Sequence, residues 1–212
     1  MNIALVGASG FLGKAILEEA LSRNHRVTAL VRDPSKLNAS KTLEVKAVDA
    51  LDTEALARVF SNHDAVISAF SGHAQADVLE YYLRGIRSII RATKLAGIPR
   101  LLVVGGAGSL EVAPGVQLID TPNFPAAYRA TAEGARQALN ILRDEATLNW
   151  TLLSPSALIE PGPRTGKFRL GGDQLLVDAN GASRITTGDY AAAMIDELES
   201  PKHTQHRFTV GY

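Results

Sequence analysis

A run of apolar residues, Ile3-Ala4-Leu5-Val6, breaks into three equally spaced glycines, Gly7, Gly10 and Gly13, and then enters a helical pattern. This stretch constrains the chain more than any other. A strand that stops at a tight glycine turn and feeds straight into a helix leaves the first N–H groups of that helix without intrahelical partners. Those donors and the positive end of the helix dipole make an anion site. Gly7 permits the turn, Gly10 lets the backbone approach a pyrophosphate, and Gly13 lets the helix pack closely on the sheet. Ser9, Phe11 and Leu12 share that turn and helix start and are expected at the same ligand. The spacing is G-x-x-G-x-x-G rather than G-x-G-x-x-G, and it gains force from its place on the first strand of an alternating pattern.

That alternation runs through the chain. Strands are expected over 2–6, 26–31, 43–48, 64–69, 100–104, 150–153 and 207–210. Helices are expected over 11–22, 53–60, 74–96 and 126–146, with a last one reaching 198 and capped by Thr187 or Asp189. In the first helix Leu12, Ala15, Ile16 and Ala20 recur at helical spacing and form one buried stripe. Leu101-Leu102-Val103-Val104 and Ala65-Val66-Ile67 are near-continuous apolar runs, as in parallel strands covered on both faces. The expected fold is α/β, a Rossmann-type doubly wound parallel sheet, in a single domain over 1–212. From Pro155 the composition shifts to Pro and Gly, which marks residues 155–185 as an irregular, substrate-side segment. Within it, 167–170 and 175–177 are expected to pair as a hairpin across Gly171-Gly172-Asp173.

Composition excludes several chemistries. The chain has no cysteine, so disulfides, thiolate nucleophiles and cysteine zinc sites are impossible. Its 22 Lys plus Arg balance 22 Asp plus Glu, which argues against a nucleic-acid partner. The five histidines are scattered; His203 and His206 fall in a polar stretch, and no metal site is expected. No apolar run approaches the length of a membrane span and no signal peptide is evident, so the expected compartment is the cytoplasm.

The end of the second strand bears on the ligand. A dinucleotide site carries an acidic residue there for a ribose 2′-hydroxyl, or an arginine for a 2′-phosphate. Here Val31 is followed by Arg32, with Lys36 close behind. Asp33 precedes Pro34, a helix-start pairing that turns its carboxylate to backbone donors. NADP is therefore favoured over NAD.

The segments Gly7–Gly13, Val31-Arg32-Asp33-Pro34-Ser35-Lys36-Leu37, Val48-Asp49, Val66-Ile67-Ser68-Ala69 and Leu101–Ser109 together resemble an atypical short-chain dehydrogenase/reductase. The likeness is to the compact NAD(P)H-binding group of candidate NADH–flavin reductases, related to biliverdin/flavin reductase B and NmrA-like proteins. It continues through Tyr128, 153–162, 165–173 and 208–212, and so covers the whole chain. The resemblance implies that Asp49 faces the adenine with Ala50 behind it, and that Ser68, Ala69 and Phe70 run beside the ribose and pyrophosphate. It implies that Gly105-Gly106-Ala107 floor the nicotinamide and leave room for a second ring, and that Pro155 and Ser156 line the carboxamide.

Catalysis departs from the larger short-chain family, which pairs a Tyr with a Lys four residues on. Tyr128 is followed at that position by Ala132, Tyr81 by Gly85 and Tyr82 by Ile86. A flavin acceptor (FMN or FAD as substrate) or a quinone does not need the pair, because hydride passes directly between two rings and water supplies the proton. The expected activity is thus NAD(P)H-dependent reduction of a flavin, quinone or similar planar acceptor. Ser109 and Tyr128 are the candidates for orienting it. Lys167 and Arg169 are candidates for a flavin phosphate and His73 for the cleft, but all three are expected at the surface. The alternatives are an NmrA-like sensor that binds the cofactor without turnover and an epimerase or dehydratase on nucleotide sugars. The chain is expected as a monomer or homodimer, with the helices over 74–96 and 126–146 as a possible dimer face.

Overall fold

The structure is a computed structural model that describes residues 1–72 and 76–212. The first half of the chain lays down β1 (Asn2–Val6), α1 (Phe11–Ser22), β2 (Arg26–Val31), β3 (Leu43–Ala47), α2 (Thr53–Phe60), β4 (Ala65–Ser68), α3 (Val78–Leu95) and β5 (Arg100–Val104). The second half adds the short strands β6 (Glu111–Ala113) and β7 (Val116–Gln117), then α4 (Ala126–Arg143) and β8 (Asn149–Ser154). It closes with β9 (Leu158–Glu160), β10 (Arg169–Gly171), β11 (Arg184–Thr186), α5 (Thr187–Glu199) and β12 (His206–Gly211). Among the described residues no helix is long and apolar enough to cross a membrane.

Eight strands form one sheet in the order β10-β12-β8-β5-β4-β1-β2-β3. Every pairing is parallel except β10 with β12. From β1 the chain builds outward to β2 and β3, then crosses back and builds the other way through β4, β5, β8 and β12. The switch in direction lies between β1 and β4. Strand periodicity divides the apolar residues between two cores. Ile3, Leu5, Ala65, Ile67 and Leu102 face α1 and α5, where Ile16, Leu17, Tyr190, Met194 and Ile195 are buried. Ala4, Val6, Val66, Leu101 and Val103 face α2, α3 and α4, where Phe60, Ile86, Ile89, Leu139 and Leu142 are buried. The doubly wound α/β fold read from the alternation is the one observed.

Local caps follow from sequence. Asp33 accepts hydrogen bonds from the Ser35 amide (3.1 Å) and hydroxyl (2.6 Å), with Pro34 opening a short helical turn. These bonds hold its carboxyl below the ordinary value. Asp52 caps α2 through the Ala55 amide at 2.9 Å. Gly97 takes a positive φ of 70° just past α3.

Three expectations need correction. α3 begins at Val78 and is capped by Asp77, which accepts from the Glu80 amide; residue 74, the expected start, and His73 lie outside the described residues. The cap of α5 is Thr186, whose hydroxyl accepts from the Asp189 amide at 3.2 Å, not Thr187 or Asp189. Asp189 is instead buried against the preceding loop, accepting from the amides of Thr165 and Gly166 and from the hydroxyls of Thr165 and Tyr212. The hairpin across Gly171-Gly172-Asp173 does not form: Arg169–Gly171 pairs with β12 and becomes the sheet's outer strand, while Leu175 donates to the Glu111 carbonyl. The stretch between β5 and α4 also holds the small β6/β7 pair.

Candidate functional site

The switch between β1 and β4 is where an open parallel sheet leaves a crevice at its strand ends. The glycine turn sits in it. Gly7 has φ +80°, and a Cβ there would lie 2.5 Å from the Ala69 carbonyl oxygen. A Cβ at Gly13 would lie 2.1 Å from the Gly7 oxygen, so that only glycine lets α1 start this close to the turn. Gly10 is the N-cap of α1, makes no side-chain cap, and is followed by a first turn without an acidic residue. No side chain therefore competes for the first-turn amides of Phe11, Leu12 and Gly13, which aim at the crevice end of the helix.

A cleft of about 580 Å³ opens beside this turn. One wall is Gly10, Phe11 and Leu12, with Ala69 and Phe70 after β4. The floor is Gly105, Gly106 and Ala107 after β5, with Pro155 and Ser156 after β8. The opposite wall comes from the 118–135 region: Leu118, Phe124, Pro125, Tyr128 and Ala132. Phe11 and Tyr128 remain 55% and 63% exposed, so two aromatic faces are available to a ligand. Phe70 is backed by Tyr82, stacked at 6.0 Å between centroids, and a Cβ at Gly85 would strike the Phe70 ring. Burial pushes the Tyr82 phenol upward, so it stays protonated at neutral pH.

The expected site residues divide into three sets. Gly10, Phe11, Leu12, Ala69, Phe70, Gly105, Gly106, Ala107, Tyr128, Pro155 and Ser156 line the cleft. Gly7 and Gly13 shape the turn without lining it, Ala50 is buried in the core, Ser9 is half-buried in the turn, and Ser68 is buried at the end of β4 with a hydroxyl that has no partner among the described residues. Arg32, Lys36 and Asp49 are exposed beyond the ends of β2 and β3. Asp49 accepts from the Leu51 amide, while the side chains of Arg32 and Lys36 make no ion pair among the described residues.

Ser109 does not line the cleft. It is 3% exposed, and its hydroxyl accepts from Arg207 Nη1 at 3.2 Å. Arg207 reaches it from β12 and pairs with Asp173. The Ser156 hydroxyl donates to the Val210 carbonyl at 2.9 Å, so this residue offers a ligand its backbone rather than its oxygen. The glycines after β5 have a packing role that the resemblance did not imply. A Cβ at Gly105 would lie 2.3 Å from Leu152 Cδ2, one at Gly106 2.9 Å from Ala135 Cβ and one at Gly108 2.8 Å from Ala132 Cβ. They let α4 and β8 close on the loop. Leu118, Thr121, Asn123, Phe124 and Thr131 also line the cleft, and no sequence motif singles them out.

A glycine turn at the switch point of a doubly wound sheet, opening onto an uncapped helix N-terminus, defines a dinucleotide-binding protein. Residues 7–201 match the family described as NAD(P)H-binding, and the chain belongs to that family, within the atypical short-chain dehydrogenase/reductase group. The uncharacterized protein YwnB of Bacillus subtilis is 42% identical over 213 residues, covering 99% of this chain and 98% of YwnB. A crystal structure of a candidate epimerase from Bacteroides thetaiotaomicron is 45% identical, superposes with a TM-score of 0.93, and covers 100% of this chain and 96% of its own. A candidate NADH–flavin reductase from Streptococcus pneumoniae is 36% identical with a TM-score of 0.88, covering 100% and 99%.

Proposed function

We propose that this protein is an NADPH-dependent reductase that delivers hydride to a flavin, quinone or similar planar acceptor. The observation that carries the reading is the cleft itself: an aromatic-walled space beside the glycine turn, with Ala132 where a catalytic lysine would follow Tyr128. The amides of Phe11, Leu12 and Gly13 hold the pyrophosphate, Arg32 and Lys36 hold the 2′-phosphate, and Asp49 and Ala50 border the adenine. Ser68, Ala69 and Phe70 flank the ribose. Gly105, Gly106, Ala107, Pro155 and Ser156 floor the nicotinamide. Phe11, Phe124 and Tyr128 clamp the acceptor ring against it and exclude water, so the chain acts by positioning. When bound, the dihydronicotinamide supplies the two electrons and one proton of a hydride, and solvent supplies the acceptor's second proton. Epimerase chemistry, the class named for the Bacteroides relative, calls for the tyrosine–lysine pair that Tyr128 and Ala132 do not form.

The test mixes purified protein with NADPH and FMN, FAD, riboflavin or a quinone and follows the nicotinamide absorbance. Turnover with one or more acceptors supports the reading. Tight cofactor binding with no oxidation by any acceptor replaces it with a cofactor sensor. Arg32→Ala is expected to weaken NADPH binding by about 10- to 100-fold, the loss of one charge-assisted phosphate contact of roughly 1.5–3 kcal/mol, and to leave NADH binding nearly unchanged. Equal losses for the two cofactors, measured by calorimetric titration, mean that Arg32 does not read the 2′-phosphate.

A further inference from the structure

The chain is 21% charged, yet among the described residues no Asp, Glu, Lys, Arg or His lines the cleft. Its polar side chains are hydroxyls and one amide, Asn123. Two arginines near it are engaged by backbone carbonyls. Arg129 donates to the Ile119 carbonyl at 2.9 Å and lies 5.6 Å from the centroid of the Phe124 ring. Arg169, on the substrate-side segment, donates to the carbonyls of Val177 and Tyr212.

Among the described residues the anion-binding device at the cleft is the N-terminus of α1, and the reductase reading gives it to the cofactor's pyrophosphate. A second anionic group entering the same space would be desolvated with no counter-charge on the described lining residues and would stand near the negative charge already bound. A neutral quinone meets no such cost. It takes the hydride, then one proton from water, and leaves as a neutral hydroquinone while the dihydronicotinamide is oxidised. Neither acceptor nor product asks the cleft for a charge.

We propose that the physiological acceptor is an uncharged planar ring, a quinone or a phosphate-free isoalloxazine, and that the cleft selects against phosphorylated flavins. This rests on the reductase reading above. The test is made on the full chain saturated with NADP⁺. Riboflavin and FMN, which share one ring system and differ by the phosphate, are titrated by quenching of flavin fluorescence. 1,4-Naphthoquinone and its planar 2-sulfonate are compared by competition. Riboflavin and naphthoquinone are expected to bind about tenfold or more tighter than FMN and the sulfonate, equivalent to about 1.4 kcal/mol. The same order is expected in kcat/KM with NADPH. FMN binding as tightly as riboflavin overturns the proposal, as does failure of all four rings to bind. Absence of NADPH oxidation with a preserved neutral-over-anionic binding preference overturns the reductase reading alone.

Discussion

Gly13→Ala is expected to destabilise the protein by about 3 kcal/mol, the upper part of the range for forcing an extra carbon into a packed site. The atoms that its Cβ would meet are the Gly7 oxygen at 2.1 Å, the Gly7 carbonyl carbon at 2.9 Å and the Ala8 Cα at 3.0 Å. All three are backbone, so no rotamer change relieves the clash. Either α1 moves away from the β1 turn or the turn opens, and both displace the amides expected to hold the pyrophosphate. The denaturant midpoint is expected to fall, and cofactor affinity with it. Gly172→Ala serves as the control, because nothing lies within 4 Å of a Cβ there. Gly10→Ala separates the two effects. Its Cβ meets only the Gly7 oxygen, at 3.3 Å, but stands on the lining of the cleft. That variant is expected to fold and to lose cofactor affinity. A Gly13→Ala protein with native midpoint and native affinity would refute the close-packing role.

Glu197→Ala is expected to cost about 3–5 kcal/mol, the loss that follows when one partner of a buried ion pair is removed. Arg100 and Glu197 are 7% and 3% exposed, and Arg100 Nη2 lies 3.0 Å from Glu197 Oε1. The carboxylate also accepts from the amides of Lys202 (3.1 Å) and His203 (2.9 Å) and from the His203 ring (2.8 Å). Its removal strands a buried guanidinium and leaves two amides without their acceptor. It also unties the end of α5 from the start of β5 and β8, because Arg100 donates to the Asn149 carbonyl and the Thr151 hydroxyl as well. An Arg100→Met/Glu197→Leu double variant is expected to recover much of the loss. Burial pushes the Glu197 carboxyl upward, but the donors from His203 and Lys202 outweigh it, and the net shift is below the ordinary 4.5. A carboxyl lowered in the folded state stabilises fully above its unfolded value and loses that contribution as pH falls through the lower folded value. Wild-type stability is thus expected to decline on acidification below about pH 4.5, with this share of the decline missing in Glu197→Ala. Urea midpoints measured between pH 3 and pH 7 decide it; parallel pH profiles for the two proteins would remove Glu197 from the account.

The readings that survived from sequence rest on short separations. The glycine turn, the Asp33-Pro34 start and the Asp52 cap are decided within a few residues, by φ limits and by side chains bonding their own neighbourhood. Apolar alternation decided the element types, and hence a parallel sheet covered on both faces. The site was legible where it is made of backbone: Gly10 through Leu12, and the strand ends at Ala69, Gly105 and Pro155. It was not legible where side chains distant in sequence choose one another. Ser109 looked available to a substrate until Arg207, 98 residues later, was seen to hold its hydroxyl. Arg169 to Gly171 had two possible partners, and the open edge of β12 took them because a sheet edge offers a full row of unpaired amides while a two-strand hairpin is marginal by itself. The absence of charge among the described lining residues is likewise a property of assembly, since they come from widely separated loops and helix faces between Gly10 and Ile159. Sequence alone determined the class of fold and the glycine turn at the switch point of its sheet, because both follow from local backbone chemistry. Only the tertiary structure decided which polar groups stay available to a substrate, because that depends on which distant donors and acceptors the fold has already paired.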